Sequence, residues 1–210
     1  ENRMAFALVE SGSIKSYPKG NKGITIGDNQ YPATIFTLWT ESERNAIGLY
    51  TIEIDNTNYK NERWYNNTAI TYAYDASSNK VKGTYGTATA IAHADTTYTN
   101  TDKSNGIIPA GKDVGDVKVE GLKTILIRQV KKDAEGILNK TDWYVTRKSE
   151  KSTAIPSAIT THRDAVRAKQ AEMETAITNA ADTPALETLY TYTTTDGVTS
   201  RPLGELPKLS

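Results

Sequence analysis

The chain has 210 residues, 37% of them hydrophobic, and its 25 basic and 25 acidic side chains give a formal net charge of zero. Proteins that clamp nucleic acid normally carry an excess of basic residues, so this balance argues against one. The sequence has no cysteine, which excludes disulfides, thiolate metal sites and a thiol nucleophile. It also has no apolar run near the roughly 20 residues that cross a bilayer. We therefore expect one large or two small domains that bind neither nucleic acid nor membrane.

The low hydrophobic fraction predicts a thin core, which a neighbouring subunit could complete. We expect an α+β protein in three parts: a β-rich domain, a helical domain and an extended C-terminal arm. The turn-rich stretch 105–115 marks the boundary between the two domains. These parts span residues 4–110, 111–190 and 191–210. Met4 is the expected natural start of the chain, and residues 1–3 are set aside.

The β-rich domain has short apolar or alternating segments that end at Gly, Pro or Asn, a pattern typical of strands. Two of these segments flank a loop of about six residues and are expected to form a hairpin. A short helix is predicted after Thr40, with a capping box to Glu43 and an end at Gly48. The predicted strands are 4–9, 23–26, 48–54, 70–74 and 81–85.

The apolar spacing becomes helical after residue 116. An apolar face runs from Val117 toward Gly136, and residues 141–145 are expected to open a second helix or to form a short strand. The longest helix follows Pro156, with Ser157 as its cap, and extends to about residue 181. A short helix then starts with Pro184 at its first position.

The long helix has apolar residues seven apart, which suits either packing on its own domain or a seam between subunits. The arm holds further leucines that need a surface to lie on. On this basis we expect a homo-oligomer. The candidate interface residues are Ile159, Val166, Met173, Ile177, Leu203 and Leu206.

Residues with catalytic or metal-binding chemistry are few. His93 and Asp95 are placed on one side of a predicted strand, but no third ligand is spaced to join them. Asp55 begins a turn that lacks the glycine and closing glutamate of a calcium loop. We therefore predict no catalytic residues, no metal and no cofactor, and we expect replacement of His93 or His162 by Ala to leave function intact.

Six aromatic residues cluster in one β segment of the first domain. Exposed Tyr and Trp side chains stack on sugars or anchor protein interfaces, whereas the same residues alternating along strands fill the inner face of a sheet. Both interpretations remain open for this cluster. Its members are Tyr59, Trp64, Tyr65, Tyr72, Tyr74 and Tyr85.

Two stretches resemble a known family. The segment Leu-Asn-Lys-Thr-Asp-Trp-Tyr-Val-Thr-Arg at 138–147, followed by Ile-Pro at 155–156 and an arginine-containing helix start at 162–167, resembles tail-region proteins of tailed bacteriophages. That family includes tail assembly chaperone-like and tail-fibre-associated proteins. His162 departs from the aromatic residue that is usual there. The stretch 30–48 resembles N-terminal modules of similar phage proteins.

The motif has a structural interpretation as well. Trp143 is expected to bury a large area at a junction, and Asp142 to cap the segment that carries it. Arginines 147, 163 and 167 are expected near that junction, as partners of Glu150 or Asp164. The candidate motif residues are Thr141, Asp142, Trp143, Tyr144, Pro156, Arg163 and Arg167.

The resemblance implies a non-enzymatic structural component of a phage tail or tail fibre, made in the host cytoplasm and located in the virion. Its partners would be tail or fibre proteins. An alternative role is an assembly chaperone that is absent from the mature particle. A weaker alternative is a carbohydrate-binding tip module that uses the tyrosines.

Overall fold

The computed structural model describes residues 4–209, so the expectation about residues 1–3 lies outside the described part. It has strands in the N-terminal region and mainly helices after it, which confirms the α+β class. The chain divides into two compact units, one ending at Thr89 and one beginning at Ala90. The boundary predicted near residue 110 therefore falls inside the second unit.

The reason for the earlier boundary is a set of contacts made by residues 91–95. The Asp95 carboxylate accepts hydrogen bonds from the Gly121 amide at 2.6 Å and from the Thr124 hydroxyl at 2.7 Å. The Thr183 hydroxyl, which is buried, donates to the Ile91 carbonyl at 2.5 Å. These bonds tie the stretch to helices far along the chain, so it belongs to the second unit.

The first unit is built on a five-stranded sheet in the order β2-β1-β5-β8-β7. All neighbours are antiparallel except β5 and β8, which are parallel. Its edge strands β2 and β7 contact each other, so the sheet curls toward a closed barrel. The strands of this sheet are β1 (Phe6–Glu10), β2 (Ser13–Ser16), β5 (Leu49–Asp55), β7 (Ile70–Asp75) and β8 (Lys80–Tyr85).

The predicted hairpin is present, with Asp75 paired to Lys80 and therefore four residues between the strands. The short strands β3 (Ile24–Ile26) and β4 (Asn29–Tyr31) form a second hairpin. Further two-residue strands are β6 (Tyr65–Asn66), β9 (Thr89–Ala90) and β10 (Thr96–Thr97).

Two apolar clusters hold the first unit together. One lies on the sheet and contains Ala7, Tyr50, Ile52 and Val81. The other joins the sheet to the short helix α1 (Ile35–Leu38) through Ile35, Phe36 and Leu49. The next helix, α2 (Glu41–Ala46), has the predicted capping box between Thr40 and Glu43. The predicted end at Gly48 is confirmed as well, since this residue has a φ of +82° that other residues rarely adopt.

The second unit is mainly helical. Helices α4 (Leu122–Leu138) and α6 (Ser157–Asn179) pack against each other, and α7 (Thr183–Tyr190), with Leu186 buried, contacts α6. Segment 141–145 opens a helix rather than a strand. The elements are α3 (Asn100–Ser104), β11 (Val117–Val119), α4 (Leu122–Leu138), α5 (Asp142–Lys151), α6 (Ser157–Asn179), α7 (Thr183–Tyr190), β12 (Thr193–Thr195) and β13 (Val198–Ser200).

The starts of the later helices differ partly from prediction. Pro156 is the N-cap of α6, and Ser157, the predicted cap, is its first residue. The fixed φ of Pro156 suits the turn into the helix. Helix α7 begins after Asp182, whose carboxylate accepts a hydrogen bond from the Ala185 amide, and Pro184 lies in its first turn as expected.

The predicted extended arm is largely folded onto its own unit. Strands β12 and β13 form a hairpin, and Leu203 after it is only 2% exposed. The Leu203 amide donates to the Leu189 carbonyl at the end of α7, at 3.0 Å. The arm therefore packs against its own chain as far as Leu203. Within residues 4–209, the structure contains no helix of the length and apolarity that a membrane span requires.

Candidate functional site

The Thr-Asp-Trp-Tyr motif lies at the start of helix α5, where Trp143 is exposed and Tyr144 is half-buried. Trp143 is 52% exposed, so the prediction that it buries a large area is wrong. The Trp143 and Tyr144 rings stack on each other with centroids 3.7 Å apart. The Arg147 guanidinium lies over both rings, 4.8 Å and 5.3 Å from their centroids. These three side chains are called the α5 stack below.

The spacing of the α5 stack explains its geometry. Tyr144 and Arg147 are three residues apart, and Trp143 and Arg147 are four apart, so the helix places each ring next to the Arg147 side chain. A guanidinium over aromatic faces is a cation–π contact, stronger where water is excluded. The Arg147 Nε atom is buried without a hydrogen-bond partner, since the rings cover it.

Arg163, on α6, anchors the start of α5. Its side chain is 9% exposed. One of its terminal nitrogens donates to the Leu138 carbonyl at 2.8 Å and to the Thr141 hydroxyl at 2.7 Å. The other forms an ion pair with the Asp142 carboxylate at 2.8 Å. The planar guanidinium thus bonds three groups that lie between the end of α4 and the start of α5.

This network corrects two predicted roles. Asp142 was expected to cap α5, but it is the first residue of that helix, and its carboxylate pairs with Arg163 instead. Arg163 was expected to pair with Glu150 or Asp164. Arg167 does pair with Asp164, at 3.3 Å, in an exposed contact one turn along the same helix. Pro156 is exposed and acts only at the helix start.

The candidate interface residues are mostly core residues of the second unit. Ile159, Val166, Met173 and Ile177 are each at most 8% exposed, and Leu203 is equally covered. This arrangement matches the interpretation in which the stripe of α6 packs on its own domain. Leu206 is half-buried and lines a cavity. Contacts with other copies would therefore use a different surface.

That cavity has a volume of about 810 Å³ and lies within the second unit. It brings together residues from α4, α6 and the C-terminal segment, among them Thr141, His162, Met173 and Leu206. The C-terminal segment is held by Arg201, which pairs with Glu205 at 3.0 Å, while Tyr192 donates to the same carboxylate. Leu203 is buried and holds this segment against the unit, whereas residues 205–209 line the cavity.

The aromatic cluster of the first unit mostly fills its interior. Trp64, Tyr65 and Tyr85 are at most 6% exposed, while Tyr59 is 36% exposed and packs on Tyr85 with ring centroids 4.9 Å apart. The Tyr50 and Tyr74 hydroxyls both donate to the Asn79 side-chain oxygen, and burial raises the pKa of Tyr50 to about 12. This arrangement favours the packing interpretation over a sugar-stacking surface.

Several aspartates with lowered pKa values bond to nearby hydroxyl, amide and ammonium groups. The Asp75 pKa is lowered to about 2 by hydrogen bonds from the Ser77 and Ser78 hydroxyls.

The pKa of Asp95 is lowered chiefly by the Gly121 amide, so this residue is a helix cap rather than a metal ligand beside His93. His93 lies in a bend and Asp95 in irregular backbone, so neither is on the predicted strand. Within the described range 4–209, no three His, Asp or Glu residues are grouped to hold a metal ion.

Comparisons with known proteins add no relative: no protein-family model, curated protein or solved structure matches the chain. The resemblance to phage tail proteins therefore stays a prediction from the sequence motifs.

Two candidate features of the second unit could not be identified from the residue types alone. The α5 stack has a local signal, because an Arg three and four residues after a Tyr and a Trp lies next to both rings on a helix. The cavity has no such signal, since its lining residues come from segments up to 79 positions apart, from Val130 to Leu209.

Proposed function

We propose that the protein is a non-enzymatic structural component of a bacteriophage tail or tail fibre that acts through protein–protein contacts. The observation that carries this proposal is the α5 stack. Trp, Tyr and Arg are the residue types that dominate the energy of protein interfaces, and here an exposed Trp143 lies beside a half-buried Tyr144 and Arg147 on the surface of α5. The resemblance at residues 138–147 and 155–167 supports placing the contact in a phage tail.

The anchoring of α5 supports an interface as well. Binding costs free energy when side chains and helices must be ordered, and a surface that is already ordered avoids that cost. Arg163 joins α5 to the core of the second unit, and Arg147 fixes the two rings against each other. A partner would therefore meet a rigid aromatic surface. The proposed partners of this protein are tail or fibre proteins, including further copies of this chain.

Three carboxylates have structural roles that a non-enzymatic protein would give them. Asp75, Asp95 and Asp102 accept hydrogen bonds from backbone or side-chain donors that lower their pKa values. These bonds stabilise turns and helix starts.

Site-specific photo-crosslinking tests the proposal directly. Trp143 is replaced by a benzophenone amino acid in cells that produce the phage, and the cross-linked products are identified by mass spectrometry. We expect tail or fibre proteins among the products. The matched control places the same amino acid at Tyr17, an exposed aromatic in the first unit. Products that are the same at both positions, or that lack tail proteins, would contradict the proposal.

Purified particles separate the structural role from the alternative assembly role. A virion component is present at fixed stoichiometry in the particles and is cross-linked there. An assembly chaperone is cross-linked in the cell lysate through the same α5 stack and is absent from the particles.

A further inference from the structure

The cavity of the second unit has features of a ligand site that are independent of the α5 stack. Its volume of about 810 Å³ falls within the range of small-molecule pockets. Its wall is apolar over much of its area, with a few polar groups at defined places. The apolar lining side chains are Val130, Ile137, Met173, Leu206, Pro207 and Leu209.

His162 is the first sign of a bound molecule. It lines the cavity from α6 and is only 9% exposed. Its ring makes no hydrogen bond to any residue between 4 and 209. The imidazole therefore has hydrogen-bonding capacity that no described residue uses, and this capacity is available to a molecule that enters the cavity.

The charges around the cavity are the second sign. Its two acidic side chains are already engaged: Asp133 accepts a hydrogen bond from Gln129 at 2.7 Å, and Glu205 pairs with Arg201. Lys140 and Lys208 also line the cavity, and neither has an ion pair within the described part of the chain. The Glu205–Arg201 pair is neutral, and the Asp133 carboxylate offsets one of the two lysines, so the lining keeps one net positive charge, which favours an anionic ligand.

We propose that this cavity binds an anionic amphiphile, a molecule with an apolar body and a carboxylate head, of the size of a medium-chain carboxylate. The body would lie against the apolar wall formed by α4, α6 and the C-terminal segment. The head would meet Lys140 and Lys208, and the His162 ring would hydrogen-bond to it. A neutral molecule of the same length would lack the charge contacts.

Titration with decanoate, followed by nuclear magnetic resonance of the histidine rings, tests this proposal. The chain has two histidines, so each ring gives a distinct signal, and the His162→Gln variant assigns them. We expect the His162 signal to shift saturably at decanoate concentrations below micelle formation. His93 does not line the cavity and is the internal reference. An unshifted His162 signal, or equal shifts at both rings, would overturn the proposal.

The role of charge is tested with two double variants and one neutral probe. Lys140→Glu with Lys208→Glu should weaken decanoate binding by about tenfold or more, since two attractive contacts become repulsive. Lys112→Glu with Lys148→Glu makes the same charge change outside the cavity and should leave binding unchanged. Decanol should bind more weakly than decanoate. Equal affinities for the two probes, or equal effects of the two double variants, would refute an anion site.

Discussion

The buried guanidinium of Arg163 should be one of the largest single contributors to the stability of the second unit. The change Arg163→Ala removes two hydrogen bonds and one ion pair, and it leaves the Thr141 hydroxyl, 3% exposed, without its donor. Removing one member of a wholly buried ion pair costs about 3–5 kcal/mol. The Asp142 side chain is 52% exposed and regains water, which reduces the loss. We therefore expect the free energy of unfolding to fall by about 2–4 kcal/mol.

Two further variants separate this network from a general effect of charge. Arg167 lies one turn along α6, and its ion pair with Asp164 is exposed. Arg167→Ala should therefore cost at most about 0.5 kcal/mol. Arg163→Lys keeps the charge but replaces the planar fork by one ammonium group, which cannot meet all three acceptors. It should recover only part of the loss.

Urea unfolding followed by far-ultraviolet circular dichroism measures these differences. The signal reports mainly the second unit, because α4, α5, α6 and α7 all lie in it. The Trp143 environment should change as well in Arg163→Ala, since α5 loses its anchor. If Arg163→Ala and Arg167→Ala lower the free energy of unfolding equally, the network does not hold α5 to the core, and the rigid-surface argument fails with it.

Three further predictions concern positions outside this network. A Cβ atom at Gly83 would lie 2.8–2.9 Å from three side-chain carbons, so Gly83→Ala should destabilise the first unit by about 1–3 kcal/mol in thermal unfolding. Gly136 lies within α4 with open space around it, so Gly136→Ala should stabilise the second unit by about 0.5–1 kcal/mol, and a loss of stability would contradict the described helix. The pKa of Asp102 is lowered to about 2, chiefly by the hydrogen bond from Lys118 at 2.6 Å. Because the folded-state pKa lies below the unfolded value of about 4, this carboxylate stabilises the fold above pH 4 and its contribution is lost as the pH falls toward 2. Wild type and Asp102→Asn should therefore differ in urea midpoint at pH 6 and converge near pH 2, and an equal difference at both pH values would refute this assignment.

Features that depend on neighbouring residues could be predicted from the sequence. The capping box of Thr40 and Glu43, the hairpin between Asp75 and Lys80, and the first turn of α7 with Pro184 each involve groups within a few positions. Their geometry follows from local hydrogen bonds and from the backbone limits of single residues. The α+β order of the chain follows in the same way from the change of apolar period.

Features that depend on distant residues were decided only by the tertiary structure. Asp95 joins the second unit because its carboxylate bonds to the amide of Gly121, 26 residues later at the start of α4, and no local pattern reports such a bond. Trp143 was expected inside because it is large and apolar, yet Arg163 fills the junction and leaves the α5 stack on the surface. The stripe of α6 suited either its own domain or a neighbour, since a helical pattern shows that a face is buried but not what covers it. In this protein α4 covers much of that face, because the two helices pack against each other within one unit.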